Sequence, residues 1–335
     1  MNRYDEFREQ VVSDGYSFVE SALLTAAFEL NVFEALGGES KSVPTIAAEI
    51  KADERALELL LNALASLNLI SKTGIGFQLS EAGKYIFLKQ SEKYIGDIVR
   101  HQKLMTQSFL ELSETVRTGK PLVFSAGGLE SQSAEWMRDF TCAMHNTAVG
   151  HAETLARKLD LKGAKTLIDI GGGSGAFSIY FLKQNPGLMA TIYDLPTTLQ
   201  TTREFVEKYG MTERVQYHAG NFEQDGIQGK YDIAFLSHII HGTGAGKNEI
   251  LFKKIFDALN PGGRLIIQDF FLNEDKISPQ FSALFALNML LHTEGGQTYT
   301  FGEVENWARK AGFSGCTRPS LRLPRSISIL VAAKT

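Results

Sequence analysis

The spacing of apolar residues along the chain changes near residue 160. Before that point it is helical, and one helix face is formed by four leucines: Leu57, Leu60, Leu61 and Leu64. This i, i+3, i+4, i+7 spacing predicts a helix over 53–70, and a shorter helix begins after Ser42 with Pro44 in its first turn. Glycine-punctuated residues 74–79 predict a hairpin. Two helices and a wing indicate a winged-helix unit within residues 15–90.

Beyond residue 160, short apolar runs alternate with helical segments. A long helix from Ser133 to Leu159 leads into this half. The predicted strands cover 166–170, 189–194, 215–219, 231–237, 264–269 and 326–332. A final helix over 302–311 begins with a capping box of Thr300 and Glu303. Strands that alternate with helices predict an α/β domain with a doubly wound parallel sheet.

Composition narrows the class of protein. The chain has 335 residues, of which 44% are hydrophobic and 21% charged, so it has enough apolar material for two folded domains. A net charge of −4 argues against a chain-wide nucleic-acid binder. Two cysteines, Cys142 and Cys316, cannot form a disulfide framework or a four-thiolate zinc site. With no signal peptide or spanning segment evident, we expect a soluble cytoplasmic protein without a membrane partner.

The sharpest local motif is DIGGGSGA at 169–176, between a predicted strand and a predicted helix. Glycines there allow close approach of a ligand to the backbone and to the helix N-terminus. Two ligands fit: NAD, because the motif satisfies a dinucleotide pattern, and S-adenosylmethionine. In both cases Asp194 is placed to accept hydrogen bonds from ribose hydroxyls. Asp169 favours S-adenosylmethionine, since a carboxylate would repel a pyrophosphate but attract an amino-acid group.

An ordered set of motifs extends this pattern over nearly the whole chain. They are LIDIGGGSG at 167–175, YDLP at 193–196, AGNF at 219–222, FLSHIIH at 235–241, LNPGGRL at 259–265 and GG at 295–296. The set resembles the class I S-adenosylmethionine-dependent O-methyltransferases of the caffeate and hydroxyindole type. The resemblance implies a winged-helix dimerisation domain at 1–100, linking helices at 101–160 and a methyltransferase domain at 161–335. It also implies a seven-stranded sheet with an antiparallel last strand, and a homodimer.

The resemblance assigns roles residue by residue. The implied cofactor contacts are Asp169, Gly171, Gly173, Asp194, Leu195, Asn221, Phe222 and Ser237. The implied contacts of the acceptor molecule are Phe140, Met144 and Met289, and we add His145, His238 and His292 as candidates. His241 matches the general base, and methyl transfer to a hydroxyl of a small aromatic molecule is the implied reaction.

Chemistry supports His241 independently. It follows a predicted central strand, where open α/β sheets bind ligands, and an imidazole can take a proton from an attacking hydroxyl. The acids that usually support this histidine are replaced by Gly242 and Thr298. Methylation of carbon or nitrogen, or chemistry without methyl transfer, is therefore an alternative. His238 and His241 could pair on a metal, but two ligands close in sequence are too few to predict a metal site.

Two other functions fit the sequence less well. A nicotinamide-dependent oxidoreductase would use the glycine motif, but that motif lies late in the chain and follows Asp169. A DNA-binding regulator would need basic or amide side chains on the recognition helix, and Arg55 is the only basic residue within 53–70. The leucine-rich helix favours a dimer interface, and we expect no nucleic-acid partner.

Overall fold

A computed structural model describes residues 2–74, 76–122, 128–321 and 323–335. The chain divides into two compact units, Met1–Thr106 and Gln107–Thr335. The division falls inside a helix, at a place different from the predicted boundaries at 100 and 160. The assignment of roles to 1–100, 101–160 and 161–335 stays a prediction.

The first unit is mostly helical. Its elements are α1 (Arg3–Tyr16), α2 (Phe18–Glu29), α3 (Val32–Leu36), α4 (Val43–Ile50), α5 (Glu54–Ser66), β1 (Ser71–Lys72), β2 (Phe77–Gln78), α6 (Glu81–Phe87) and most of α7 (Gly96–Phe109), which continues into the second unit. The unit has an apolar core of its own, in which the rings of Phe33 and Phe87 stack with centroids 4.1 Å apart.

The predicted helix starts in this unit are confirmed. Ser42 caps α4, and the Asp53 carboxylate caps α5 by accepting from the Ala56 N–H at 2.8 Å. The predicted end of the second helix at residue 70 is wrong, because Asn68 takes a left-handed φ of 58° and breaks the helical hydrogen bonding after Ser66. The predicted hairpin is present as β1 paired antiparallel with β2, while Ile75 lies outside the described residues.

The second unit alternates helices and strands. Its helices are α8 (Leu112–Thr118), α9 (Ala134–Lys158), α10 (Ala176–Gln184), α11 (Pro196–Lys208), α12 (Ala245–Ala258), α13 (Gln280–His292) and α14 (Phe301–Ala311). Its strands are β3 (Thr166–Ile170), β4 (Met189–Asp194), β5 (Val215–Ala219), β6 (Tyr231–Ser237), β7 (Leu259–Asp269), β8 (Gly315–Thr317) and β9 (Ser328–Ala333). The predicted capping box at Thr300 and Glu303 is present at the start of α14.

These strands form one seven-stranded sheet in the order β5-β4-β3-β6-β7-β9-β8. Strands β3 to β7 are mutually parallel, whereas β9 is antiparallel to both β7 and β8. The helices cover the sheet, and the buried apolar residues of sheet and helices form two clusters. The predicted doubly wound sheet with an antiparallel last strand is therefore confirmed.

Three details of the sheet differ from expectation. Strand β9 begins at Ser328, later than the predicted residue 326, because Ser326 has a left-handed φ of 61° and ends a short 3-10 turn. Strand β7 begins at Leu259, earlier than the predicted residue 264. The short strand β8 was not predicted from the residues, because three residues beginning with Gly315 are too few to show an apolar alternation.

The topology brings the candidate residues to one edge. The carboxyl ends of β3, β4, β6 and β7 lie on the same side of the sheet, and the strand order reverses between β3 and β6. Open α/β sheets bind ligands at such a reversal. Within the described part of the chain, no helix has the length and apolar character needed to cross a membrane.

Candidate active site

The glycine loop after β3 has a backbone that side chains would not tolerate. Gly171, Gly173 and Gly175 have φ values of 65°, 55° and 75°, in the left-handed region that favours glycine. A Cβ on Gly171 would lie 2.3 Å from Ile239 Cδ1, and one on Gly172 would lie 2.9 Å from Asp169 Cγ. The loop is therefore fixed by tight packing and presents main-chain atoms at the sheet edge.

Asp194, at the end of β4, ties this loop to the next strand. Its Oδ2 accepts from the Gly173 N–H at 2.8 Å, and its Oδ1 accepts from the Leu195 N–H at 2.7 Å. Burial raises the pKa of Asp194, and the two backbone hydrogen bonds oppose that rise. Each oxygen retains lone pairs, so the carboxylate can still accept from hydroxyl groups of a ligand.

Asp169 lies beneath the loop and is fully buried. Burial raises its pKa to about 7, the Ser178 hydroxyl that donates to Oδ2 at 2.7 Å opposes the rise, and the Asp194 charge adds to it. A buried carboxyl with this pKa gains charge readily when a cation arrives. Asp169 is thus suited to an ammonium group bound at the loop.

His145 lies against the glycine loop from α9. Its Nδ1 is 2.9 Å from Ser174 Oγ, and its ring stacks on Phe205 of α11 with centroids 3.8 Å apart. Both His145 and Ser174 are buried. The structure thus places this histidine beside the predicted cofactor loop, and its predicted contact with the acceptor stays a prediction.

Asn221 and Phe222 follow β5 at the same edge. The Asn221 amide donates to Glu130 Oε1 at 2.9 Å, and its Oδ1 accepts from the Glu223 N–H at 2.9 Å. Phe222 reaches the loop, since its ring would lie 3.5 Å from a Cβ on Gly171. The ring gives this side of the loop an apolar wall.

His241 is held by a carboxylate that the sequence analysis did not identify. Its Nδ1 lies 2.6 Å from Asp269 Oδ1, and both side chains are buried. Burial alone would raise the pKa of Asp269, but His241 and His238 outweigh it and hold that pKa below its usual range. A carboxylate on Nδ1 keeps the proton there and leaves Nε2 to accept another. The acids replaced by Gly242 and Thr298 therefore have a substitute in Asp269.

His238 shares the same carboxylate. Its Nδ1 lies 3.8 Å from Asp269 Oδ1, and its Nε2 lies 3.3 Å from Gln268 Nε2. Its φ of 57° is uncommon outside glycine and turns the chain sharply at the end of β6. The Gln268 amide also donates to Ser237 Oγ at 2.9 Å. Ser237, predicted to contact the cofactor, thus belongs to the network between β6 and β7.

Aromatic rings surround these histidines. Phe270 lies with its centroid 4.5 Å from His238, and Phe285 of α13 makes an edge contact with His241 at 5.0 Å. Phe281 packs on Phe270 at 4.9 Å. Together Phe270, Phe281 and Phe285, which we call the phenylalanine wall, form an apolar surface next to the imidazole.

The other predicted acceptor contacts lie on two helices of the same unit. Met289 is buried on α13, and burial lowers the pKa of the neighbouring His292, whose Nδ1 lies 2.8 Å from the Asn288 carbonyl oxygen. On α9, Phe140 stacks on Trp136 at 5.1 Å, and Met144 is half-buried. Their contact with an acceptor stays a prediction.

The sequence did carry a signal for the missed residues. Two predicted strands ended in polar pairs, Ser237-His238 and Gln268-Asp269. In the sheet β6 and β7 are adjacent and parallel, with Ser237 opposite Gln268. A prediction that β6 and β7 are neighbours would have placed His241 close to Asp269.

Comparison with known proteins agrees with this geometry. An O-methyltransferase domain family matches residues 108–314, and an O-methyltransferase dimerisation domain family matches residues 15–89. Tetracenomycin polyketide synthesis 8-O-methyl transferase TcmO of Streptomyces glaucescens is 30% identical over 93% of this chain and 93% of its own. The 3-hydroxy-5-methyl-1-naphthoate 3-O-methyltransferase of Streptomyces sahachiroi is 29% identical, over 93% and 91%.

A solved structure supports the same assignment. PigF with SAH superimposes with a TM-score of 0.86 at 25% identity, covering 100% of both chains. A Serratia relative named PigF, 26% identical over 98% of this chain and 96% of its own, is called an S-adenosyl-L-methionine-dependent methyl transferase. The matched domain covers more than half of the sequence, and the second matched family covers most of the first unit. The chain belongs to the O-methyltransferase family.

Proposed function

We propose that this protein transfers a methyl group from S-adenosylmethionine to a hydroxyl of a small aromatic molecule, with His241 as the general base. The observation that carries the proposal is the 2.6 Å contact between His241 Nδ1 and buried Asp269, at the sheet edge that also holds the glycine loop. Family membership supports the reaction, and the relatives named above act on a naphthoate and in tetracenomycin polyketide synthesis.

The glycine-loop residues suit this cofactor. Asp169 would face the ammonium of its amino-acid portion, and Asp194 would accept from the ribose hydroxyls. A Cβ on Gly171 would lie 2.3 Å from Ile239 Cδ1, whereas the space where Gly173 would carry a Cβ is open. Leu195, Asn221 and Phe222 would line the adenine side. S-adenosylmethionine, when bound, supplies an electrophilic methyl group on a sulfonium sulfur.

His241 would remove the proton of the acceptor hydroxyl as its oxygen attacks the methyl. Asp269 keeps the other imidazole proton on Nδ1, so Nε2 is the accepting atom, and the carboxylate offsets the charge that forms on the ring. Burial of both groups limits the contact of the imidazole with water. The rest of the acceleration comes from holding the acceptor oxygen in line with the methyl group.

The phenylalanine wall favours an aromatic acceptor. Phe270, Phe281 and Phe285 offer ring faces and edges next to His241, and aromatic pairs prefer such offset and edge contacts. Met289 would add an adaptable apolar contact, while Phe140, Met144 and His292 would complete the acceptor contacts. His238 would meet a polar substituent of the acceptor.

For the first unit we propose a winged-helix dimerisation module that joins two copies of the chain. The matched dimerisation domain supports it, and so does α1, which buries none of its residues and exposes Tyr4, Phe7 and Val11. Such a row of exposed apolar side chains is typical of an interface. Neither cysteine forms a disulfide among the described residues, which favours the cytoplasm as the compartment. Light scattering on the purified protein should give twice the mass of one chain.

The decisive experiment is His241→Ala, with turnover and S-adenosylhomocysteine binding measured on the same preparation. We expect kcat to fall about 10²–10⁴-fold, the usual contribution of a general base. Calorimetric affinity for S-adenosylhomocysteine should stay within about twofold, because His241 lies outside the glycine loop. His218→Ala is the matched control, since His218 stacks on Tyr193, away from Asp269. Turnover equal to wild type in His241→Ala would refute the base role.

A further inference from the structure

The cluster of His238, His241 and Asp269 has a property that proton transfer does not use. One nitrogen from each imidazole and one carboxylate oxygen lie within 4.8 Å of one another. Two imidazoles and a carboxylate form a ligand set typical of zinc and related divalent ions. From this geometry we propose that the site also binds one divalent transition-metal ion, with zinc the best fit, and that metal binding switches methyl transfer off.

The distances suit an ion without rearrangement of the strands. Asp269 Oδ1 lies 2.6 Å from His241 Nδ1 and 3.8 Å from His238 Nδ1. Ligand bonds of about 2.0–2.2 Å in a tetrahedron place neighbouring ligand atoms about 3.3 Å apart. The shorter of the two distances would have to lengthen and the longer one to shorten, and rotations of the His241 and His238 side chains are enough for both changes.

Charge and unmet hydrogen bonds point the same way. Asp269 is buried, and none of the lysine or arginine ion pairs among residues 2–74, 76–122, 128–321 and 323–335 includes it. Its Oδ2 is buried and has no hydrogen-bond partner among those residues. A buried carboxylate oxygen without a donor is costly, and a cation held by both oxygens of Asp269 would satisfy it. Three protein ligands would leave a fourth position open to water or to the acceptor hydroxyl.

The same geometry explains why the metal inhibits. Both histidines face Asp269 through Nδ1, so an ion bound at this carboxylate would take the Nδ1 atoms. The imidazole proton of His241 would then sit on Nε2, the atom that must accept the hydroxyl proton. Gln268 can follow this change at His238, because its own Oε1 is buried without a partner among the described residues and could accept from a protonated Nε2. The ion thus removes the base while leaving the glycine loop untouched.

The first test is a calorimetric titration of the full-length protein, treated with a chelator and then freed of it, with zinc chloride. We expect one zinc per chain, and at least tenfold weaker binding for His238→Asn and for Asp269→Asn. Asparagine tolerates the left-handed backbone at 238, so the first variant should fold. His218→Gln, which removes a histidine elsewhere, should bind zinc like wild type. Equal zinc affinity in wild type and both cluster variants would overturn the proposal.

A second test uses the unaltered protein and does not depend on variants. Crystals soaked in zinc chloride should give an anomalous peak between His238, His241 and Asp269, and a peak only elsewhere would overturn the proposal. Turnover should fall when zinc is added and recover with a chelator, while affinity for S-adenosylhomocysteine stays the same. Zinc binding is measured without turnover, so its failure would leave the base role of His241 untouched, and a failure of the base role would leave the zinc-binding result unchanged.

Discussion

The two sides of the carboxyl edge are assembled in different ways. The glycine-loop side, with Asp169, Gly173 and Asp194, comes from one stretch of strand, turn, helix and strand. The histidine side needs His241 and Asp269, which are 28 residues apart and meet because β6 and β7 are neighbours. The first side is held by backbone conformation, and the second by side-chain contacts across strands. Local sequence therefore describes the first side well and the second poorly.

The largest effect should come from Asp269→Asn on the histidine side. Loss of the carboxylate lets the His241 proton move to Nε2 and leaves the imidazolium without an opposing charge. We expect kcat to fall about 10²–10⁴-fold, as when a histidine base loses its orienting acid. Affinity for S-adenosylhomocysteine, measured by calorimetry, should stay near wild type. Asp269→Asn with full turnover would mean that the two sides do not differ in this way.

Next in size is Asp169→Asn on the glycine-loop side, which should weaken S-adenosylhomocysteine about 10–100-fold through loss of a buried charge partner. The pKa of about 7 also predicts a pH effect in the ligand-free protein. Because this folded-state pKa is raised, the folded chain binds the proton more tightly than the unfolded chain. Its stabilising contribution is complete below about pH 4 and is lost as pH rises through 7.

Thermal unfolding checks this sign. Asp169→Asn should melt several degrees above wild type at pH 8 and show little difference at pH 4, because only the charged carboxylate is costly to bury. Wild-type affinity for S-adenosylhomocysteine should fall from pH 8 to pH 6, and the variant should lose most of that dependence. A variant less stable than wild type at pH 8 would contradict the assignment.

A smaller effect, on stability, should follow from Gly175→Ala. The residue has a φ of 75°, and its Cβ would lie 2.7 Å from Ile192 Cδ1. We expect a loss of about 1–3 kcal/mol in the free energy of unfolding. Gly187→Ala is the control, because the nearest atom to its Cβ is Lys165 Nζ at 3.9 Å.

Ile192→Val separates the clash from the backbone strain at this position. It removes the Cδ1 methyl group, so the double variant should lose less stability than the sum of the two single variants. Strict additivity in urea unfolding would show that the strained φ accounts for the whole effect.

The smallest effect should come from the contact between His145 and Ser174. One hydrogen bond contributes about 0.5–1.5 kcal/mol, so Ser174→Ala and His145→Phe should each raise the KM for S-adenosylmethionine about two- to tenfold. The KM for the acceptor should not change if His145 acts on the loop. Equal effects of the two variants, with no further loss in the double variant, would show that both residues act through the hydrogen bond between them. A raised acceptor KM would restore the acceptor contact predicted from the sequence.

Sequence alone therefore predicted different parts with different success. Strands β3 to β6, the helix starts at Ser42, Asp53 and Ser133, and the glycine loop are local features, and each appears where it was predicted. The end of α5 was missed because tertiary packing, which decides it, leaves only a weak pattern in the sequence. The strand β8 was missed because three paired residues show too little apolar alternation. Asp269 was read only as the end of a strand. Its role depends on which strands are adjacent in the sheet, and the periodicity of apolar residues does not predict the order of the strands.

The direction of β9 has a practical consequence for work on this enzyme. The strand starts at Ser328 opposite Asp269 and ends at Ala333 opposite Arg264. The chain therefore leaves the sheet at the edge opposite the histidines, where the Lys334 N–H donates to the Gly263 carbonyl at 2.9 Å. A purification tag, a fluorophore or a surface-immobilisation handle attached after Thr335 would be separated from the reaction edge by the length of the sheet. A handle attached there suits the zinc and S-adenosylhomocysteine titrations.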